Sequence, residues 1–180
     1  MWPWAALPFA MQGALMIADE GFHLRRGLPA WERWGHPLDS FLTAACYAIA
    51  LLAPPSRMAL IAYGAACALS CLCVTKDEWV HARHCAGAES WLHACLFLLH
   101  PVLLAIAGWW AFGDGVSRGG WGPAVTSSAA APAAFGIFLA IQCGLTAAFG
   151  AWQVGFWNGP WGRARSVRLA GEIRDVRPAP

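Results

Sequence analysis

The sequence predicts an all-α integral membrane protein with five transmembrane helices, four of them forming a duplicated helical-hairpin bundle. Three observations predict it. Of the 180 residues, 58% are hydrophobic and only 12% charged, far from the proportions of soluble domains. The apolar residues gather in long runs separated by short charged segments, as a helical protein is written when lipid is its solvent. A pattern of acidic residues, tryptophan and histidine then appears twice, each time at the end of one run and the start of the next.

The first run, Trp4–Ala18, continues as helix into Asp19–His23. It lacks a positive leading region and a small-residue cleavage site, so it reads as a span and not a signal peptide. The second run, Leu38–Ala53, is ended by Pro54-Pro55. The third is Met58–Val74, with Ser56 as its N-cap and a helical extension through Lys76–His84. The fourth is Trp91–Phe112 and the fifth Ala133–Trp157. Each approaches the ~20 residues that cross a hydrocarbon core, the first two being short. Such runs leave too little polar surface for a soluble bundle. Residues 1–157 are thus one transmembrane domain, with hairpin repeats at about 4–53 and 57–112 and a fifth helix appended at 133–157. Residues 158–180 form a basic tail suited to adhere to anionic lipid.

Five spans put the 19–37 loop, the 76–90 loop and the C-terminal tail on one face. That face carries Arg25, Arg26, Arg33, Lys76, Arg83, Arg163, Arg165, Arg168, Arg174 and Arg177, against Arg57 and Arg118 opposite. The bias predicts an inner (cytoplasmic) membrane protein with its N-terminus outside and its C-terminus in the cytoplasm. The twelve tryptophans lie near span ends or in adjoining loops and read as interfacial anchors. Six of the seven cysteines fall inside spans and read as small packing residues, while Cys85 falls in the cytoplasmic loop, where no disulfide is expected. The Gly-rich 113–123 segment reads as a connector, and no pattern supports nucleic-acid binding.

The chemistry lies in the repeat. Asp19-Glu20-Gly21-Phe22-His23-Leu24-Arg25 and Asp77-Glu78-Trp79-Val80-His81-Ala82-Arg83 both read D-E-x-x-H-x-R. Glu32-Arg33-Trp34-Gly35-His36 and Glu89-Ser90-Trp91-Leu92-His93 both read E-x-W-x-H. Residues three or four apart share a helix face, so each glutamate points the same way as its histidine. All four segments meet at one depth, and a carboxylate and an imidazole from each helix predict a two-metal site. Its ligands are Glu20, His23, Glu32, His36, Glu78, His81, Glu89 and His93. This donor set suits iron, with manganese and zinc as alternatives. Asp19 and Asp77 are expected to orient the histidines, to ligate, or to act as general bases. Gly35 and Pro37 are expected to interrupt the helix beside Glu32 and His36, with Asp39 as a substitute ligand. His84 and His100 break the symmetry, and His100-Pro101 is expected either to line a substrate cavity or to serve helix packing. The competing reading makes the whole set solvated loop residues and helix caps, paired with Arg25 and Arg83.

Two E-x-x-H motifs on separate helices resemble the ferritin-like di-iron carboxylate proteins and, among membrane enzymes, the alternative oxidases. The resemblance covers Glu20/His23 and Glu78/His81, with Glu32 and Glu89 in the place of the lone glutamates. It departs in motif order and in the added His36 and His93. A looser likeness to membrane desaturases and hydroxylases rests on histidines at cytoplasmic span ends, without their H-x-x-H-H box. These resemblances imply dioxygen activation on a lipid or quinone, with electrons from a donor protein. The alternatives are a zinc-dependent lipid hydrolase, a metal-ion transporter, and a haem protein using His23 with His93 or His36 with His81.

Overall fold

An apolar run in lipid has to close its backbone hydrogen bonds within itself, and each predicted run is helical. The structure, a computed structural model, describes residues 2–77, 87–117 and 131–166. Among them every regular element is a helix: α1 (Trp2–Arg26), α2 (Glu32–Leu52), α3 (Arg57–Val74), α4 (Gly87–Ser117) and α5 (Ala131–Asn158). A 3₁₀ turn, Thr75–Asp77, follows α3, and helical turns at 160–166 follow α5 after Gly159. Three helices are long and apolar enough to cross a membrane: α3, α4 over Gly87–Gly113, and α5 over Ala133–Asn158.

The helix ends follow their chemistry. Ser56 caps α3, accepting a hydrogen bond from the Ala59 backbone N–H at 3.1 Å. Gly27 ends α1 with φ 72°, a conformation that suits glycine, and its N–H donates to the His23 carbonyl at 2.8 Å. The chain then turns through buried Leu28 into α2. Contrary to expectation, Gly35 and Pro37 do not interrupt α2, which runs unbroken from Glu32. Proline removes the N–H that would bond the Arg33 carbonyl one turn back. Asn158 Nδ2, at the end of α5, donates to that carbonyl at 3.2 Å instead.

The fifth helix is no appendage. α2 packs more extensively on α5 than any other pair does, while α1 packs chiefly on α4. α3 sits against α2 and α4. At one end of the bundle lies a tight apolar layer. Phe9 lies 5.8 Å from Tyr47, 6.2 Å from Phe135 and 5.3 Å from Phe138, ring centre to ring centre. The described polar segments of the repeat, Asp19–Arg25, Glu32–His36 and Glu89–His93, occupy the other end, where 160–166 folds back on the α1–α2 turn. There Arg165 Nε donates to the Leu24 carbonyl, and Leu28 N–H donates to Ser166 Oγ. This part of the predicted tail is held by the bundle.

The contact of α3 with α4 is close because Gly108 has no side chain. Buried Tyr63 donates its hydroxyl to the Leu104 carbonyl at 2.5 Å, and a Cβ at position 108 would lie 2.5 Å from Tyr63 Cε1. Gly108→Ala is therefore expected to lower the unfolding temperature in detergent, with a cost on the order of 1–3 kcal/mol for overpacking. Adding Tyr63→Leu should restore part of the loss. A gain in stability from Gly108→Ala alone, as helix propensity by itself would give, would contradict this packing.

Candidate metal centre

α1 brings its polar face to the bundle end in steps of one turn. Asp19, His23 and Arg26 stand at i, i+4 and i+7, so all three point inward while Arg25 is exposed. Arg26 is the hub. Its Nη2 donates to Glu32 Oε2 of α2 at 2.7 Å, and its Nε donates to Glu89 Oε1 of α4 at 2.8 Å. Both carboxylates are buried, at 0% and 2% residue exposure. Burial works against the Arg26 charge, but Glu32 and Glu89 overcome it and raise its pKa above the ordinary arginine value. The expected partner Arg25 makes no such pair, and Arg83 lies outside the described residues.

Around this hub the ligating groups converge. His93 Nε2 and Asp19 Oδ1 are 2.8 Å apart, and His23 Nε2 lies 3.4 Å from the same oxygen. Asp19, His23, Glu89 and His93 are all buried, and each offers one ligand atom within 4.8 Å of the others. A second group, His23, Glu32 and His36, meets the same limit and shares His23. The His23 and His36 rings stand 4.5 Å apart. His23 has 0% exposure, and neither of its ring nitrogens has a hydrogen-bond partner among the described residues. These buried His/Asp/Glu groups have the donors to hold a metal ion.

The residues expected to form the site are thus placed as follows. His23, Glu32, His36, Glu89 and His93 come together. Asp19, expected to orient the histidines, to ligate or to act as base, stands in the four-residue group itself. Glu20, expected as a ligand, is outside both groups. Its Oε1 accepts from Trp157 Nε1 at 2.6 Å, and its Oε2 lies 3.8 Å from His23 Nδ1. Glu78 and His81 lie outside the described residues, as does His84, and Asp77 is described only as backbone. Asp39 pairs with Lys76 of the 3₁₀ turn. His100 Nε2 lies 3.0 Å from buried Ser70 Oγ of α3, and His100 also lines a cavity.

Two residues were missed by sequence reasoning. Trp157, expected as an interfacial anchor, is fully buried as the donor to Glu20, and nothing in its own sequence context signals this. Arg26 was legible: it shares a helix face with Asp19 and His23, as Arg25 does not. The repeat also has a more uniform spacing than E-x-x-H. Asp19/His23, Glu32/His36, Asp77/His81 and Glu89/His93 are all acid and histidine four apart, and the three described pairs are those the groups contain.

A cavity of about 350 Å³ opens beside the centre, with Asp19 and His36 in its wall. No protein-family model matches the chain, nor does any curated protein or solved structure.

Arg26→Met should leave Glu32 and Glu89 as buried charges without their common partner. The expected cost is about 3–5 kcal/mol of stability. Arg26→Lys is expected to recover less than half of it, because one ammonium cannot fork between carboxylates from two helices. Thermal unfolding in detergent reads both, and a variant as stable as wild type would contradict the hub.

Proposed function

We propose that this chain is a metal-dependent membrane oxidoreductase acting on a lipid or quinone-like substrate. In this reading it is a five-span bundle of the inner membrane, with the centre on the cytoplasmic side. Three helices have the length and hydropathy to span. For the other two, support comes from their outward faces: α1 exposes Trp4, Leu7, Met11 and Ile17, and α2 exposes Leu38, Phe41 and Leu52. The loop charges support the orientation.

The observation that carries the metal is His23, buried with both nitrogens unsatisfied among Asp19, Glu89 and His93. An unmet buried polar group costs about 1–3 kcal/mol, which ligation removes. Charge supports the same reading. Asp19, Glu20, Glu32 and Glu89 bring four buried carboxylates to one bundle end, and Arg26 supplies one positive charge to two of them. Divalent ions supply the balance without protonating the ligands. Two imidazoles and two carboxylates are a donor set for iron, manganese or zinc. The second group, joined through His23, supports a dinuclear centre, and the carboxylate-rich set with the motif likeness favours iron. The metals would supply dioxygen chemistry at the substrate, with electrons from a donor protein.

The chain's own residues fix the geometry. Arg26 takes one oxygen of Glu89 and one of Glu32, leaving each carboxylate a second oxygen and restricting its rotation. Trp157 fixes Glu20 beside His23. A haem between His23 and His93 would have to displace Asp19 and Glu89 from the same 4.8 Å neighbourhood, which disfavours that reading. An ion path would have to cross the packed layer of Phe9, Tyr47, Phe135 and Phe138, which disfavours transport.

Elemental analysis of detergent-purified protein tests the proposal. About two metal atoms per chain are expected in wild type. His93→Ala should lose one, His36→Ala the other, and His23→Ala both. Iron with a visible absorption band supports oxidation, whereas two zincs would redirect the reading to lipid hydrolysis. Folded wild-type protein that retains no metal and takes up none of the three would defeat it.

A further inference from the structure

The cavity beside the centre is not an extension of the ligand set, and its shape and lining carry their own information. It runs between α1, α2, α4 and α5 from Asp19 and His36 to Phe9 and Tyr47. Asp19 and Phe9 are ten residues apart on α1, which at 1.5 Å per residue is roughly 15 Å. That is about half the ~30 Å of a hydrocarbon core. The volume, about 350 Å³, is at the low end for small-molecule pockets. It suits one chain, not a two-chain lipid.

Beyond the centre the wall holds Asp39, whose charge is paired with Lys76, and neutral hydrogen-bonding groups, among them Gln12, Thr43 and Gln142, interleaved with Met16 and Phe149. No arginine or lysine lines it among the described residues. Phosphate or sulfate heads would be desolvated there without a cation. Gln12 Oε1 is buried with no hydrogen-bond partner, an acceptor that calls for an O–H or N–H donor. Gly13, one position on, leaves the wall recessed. A Cβ there would meet nothing within 4 Å, and a glycine in mid-helix costs stability relative to alanine.

We propose that this cavity is the substrate chamber: it takes a single-chain, uncharged amphiphile lying along α1, head at Gln12 and chain toward Asp19 and His36. The Gln12 carbonyl accepts a hydrogen bond from the ligand's hydroxyl. The chamber deepens the enzymatic reading above and rests on it for the role of substrate, but not for binding.

The test uses a dodecanol carrying a photoreactive diazirine, applied to metal-replete protein in detergent, with labelled peptides mapped by mass spectrometry and metal measured in the same samples. Labelling is expected on the cavity-facing peptides of α1, α2 and α5, and tenfold excess dodecanol should suppress it several-fold. Gly13→Leu, which fills the recess, should cut labelling at least tenfold and leave the metal content unchanged. Gln12→Leu should weaken competition by dodecanol and leave competition by dodecane unchanged. Label spread over the outward residues Leu7, Leu52, Leu69 and Leu98, and indifferent to Gly13→Leu, would overturn the chamber even if metal is bound. Equal competition by dodecyl phosphate would overturn the uncharged head. Specific labelling in protein that holds no metal would support the chamber and defeat the metal reading alone.

Discussion

One arginine holds this end of the molecule together. Arg26 closes α1, yet its guanidinium bonds carboxylates from α2 and α4, so three helices meet at a single planar cation. Arginine suits the task because its fork offers donors in fixed directions and keeps its charge under all working conditions. Everything in the centre is registered against that contact. His23 and Asp19 lie one and two turns back along the same face, while His36 and His93 lie one turn beyond the glutamates that Arg26 holds. The constraint also decides which oxygens remain for other partners, since each glutamate gives one of its two to the guanidinium.

A buried set of this kind is expensive, and the surrounding helices spend their packing on it. Asn158 caps the carbonyl that Pro37 leaves open, which keeps α2 straight enough to present Glu32 and His36 on one face. Trp157, one residue away, donates to Glu20 Oε1. The end of α5 therefore serves two polar positions that α1 and α2 leave exposed to desolvation, and the strong packing of α5 on α2 has a local purpose. At the far end, by contrast, contact is apolar and dense, from Phe9 and Tyr47 to the Tyr63–Gly108 approach. Between these two layers lies the cavity. The molecule is thus graded along its axis, from ionic through neutral polar to aromatic.

Much of this gradient could be read from the chain. Long apolar runs gave the helices, and the Ser56 cap and the Gly27 turn follow from local rules. The internal repeat led to His23, Glu32, His36, Glu89 and His93, because a carboxylate and a histidine one turn apart carry their own geometry. What was not legible depended on which helices become neighbours. The pairing of α1 with α4 and α2 with α5 is set by packing of whole faces, which composition does not encode. For that reason Trp157 passed as a surface anchor, and Pro37 as a helix breaker. The choice between Asp19 and Glu20 was closer to hand. A uniform spacing of four across the repeat favours Asp19, whereas E-x-x-H favoured its neighbour.

In the proposed centre, imidazoles and carboxylates from different helices would share a metal, with His23 common to both groups. X-ray absorption at the edge of the bound metal, on purified protein in detergent, tests it most directly. A first shell of nitrogen and oxygen near ~2.0–2.2 Å with outer-shell scattering from imidazole rings is expected, and the bound-metal edge should be lost in His23→Ala. A shell of oxygen alone without imidazole scattering, or a spectrum that His23→Ala leaves unchanged, would contradict it.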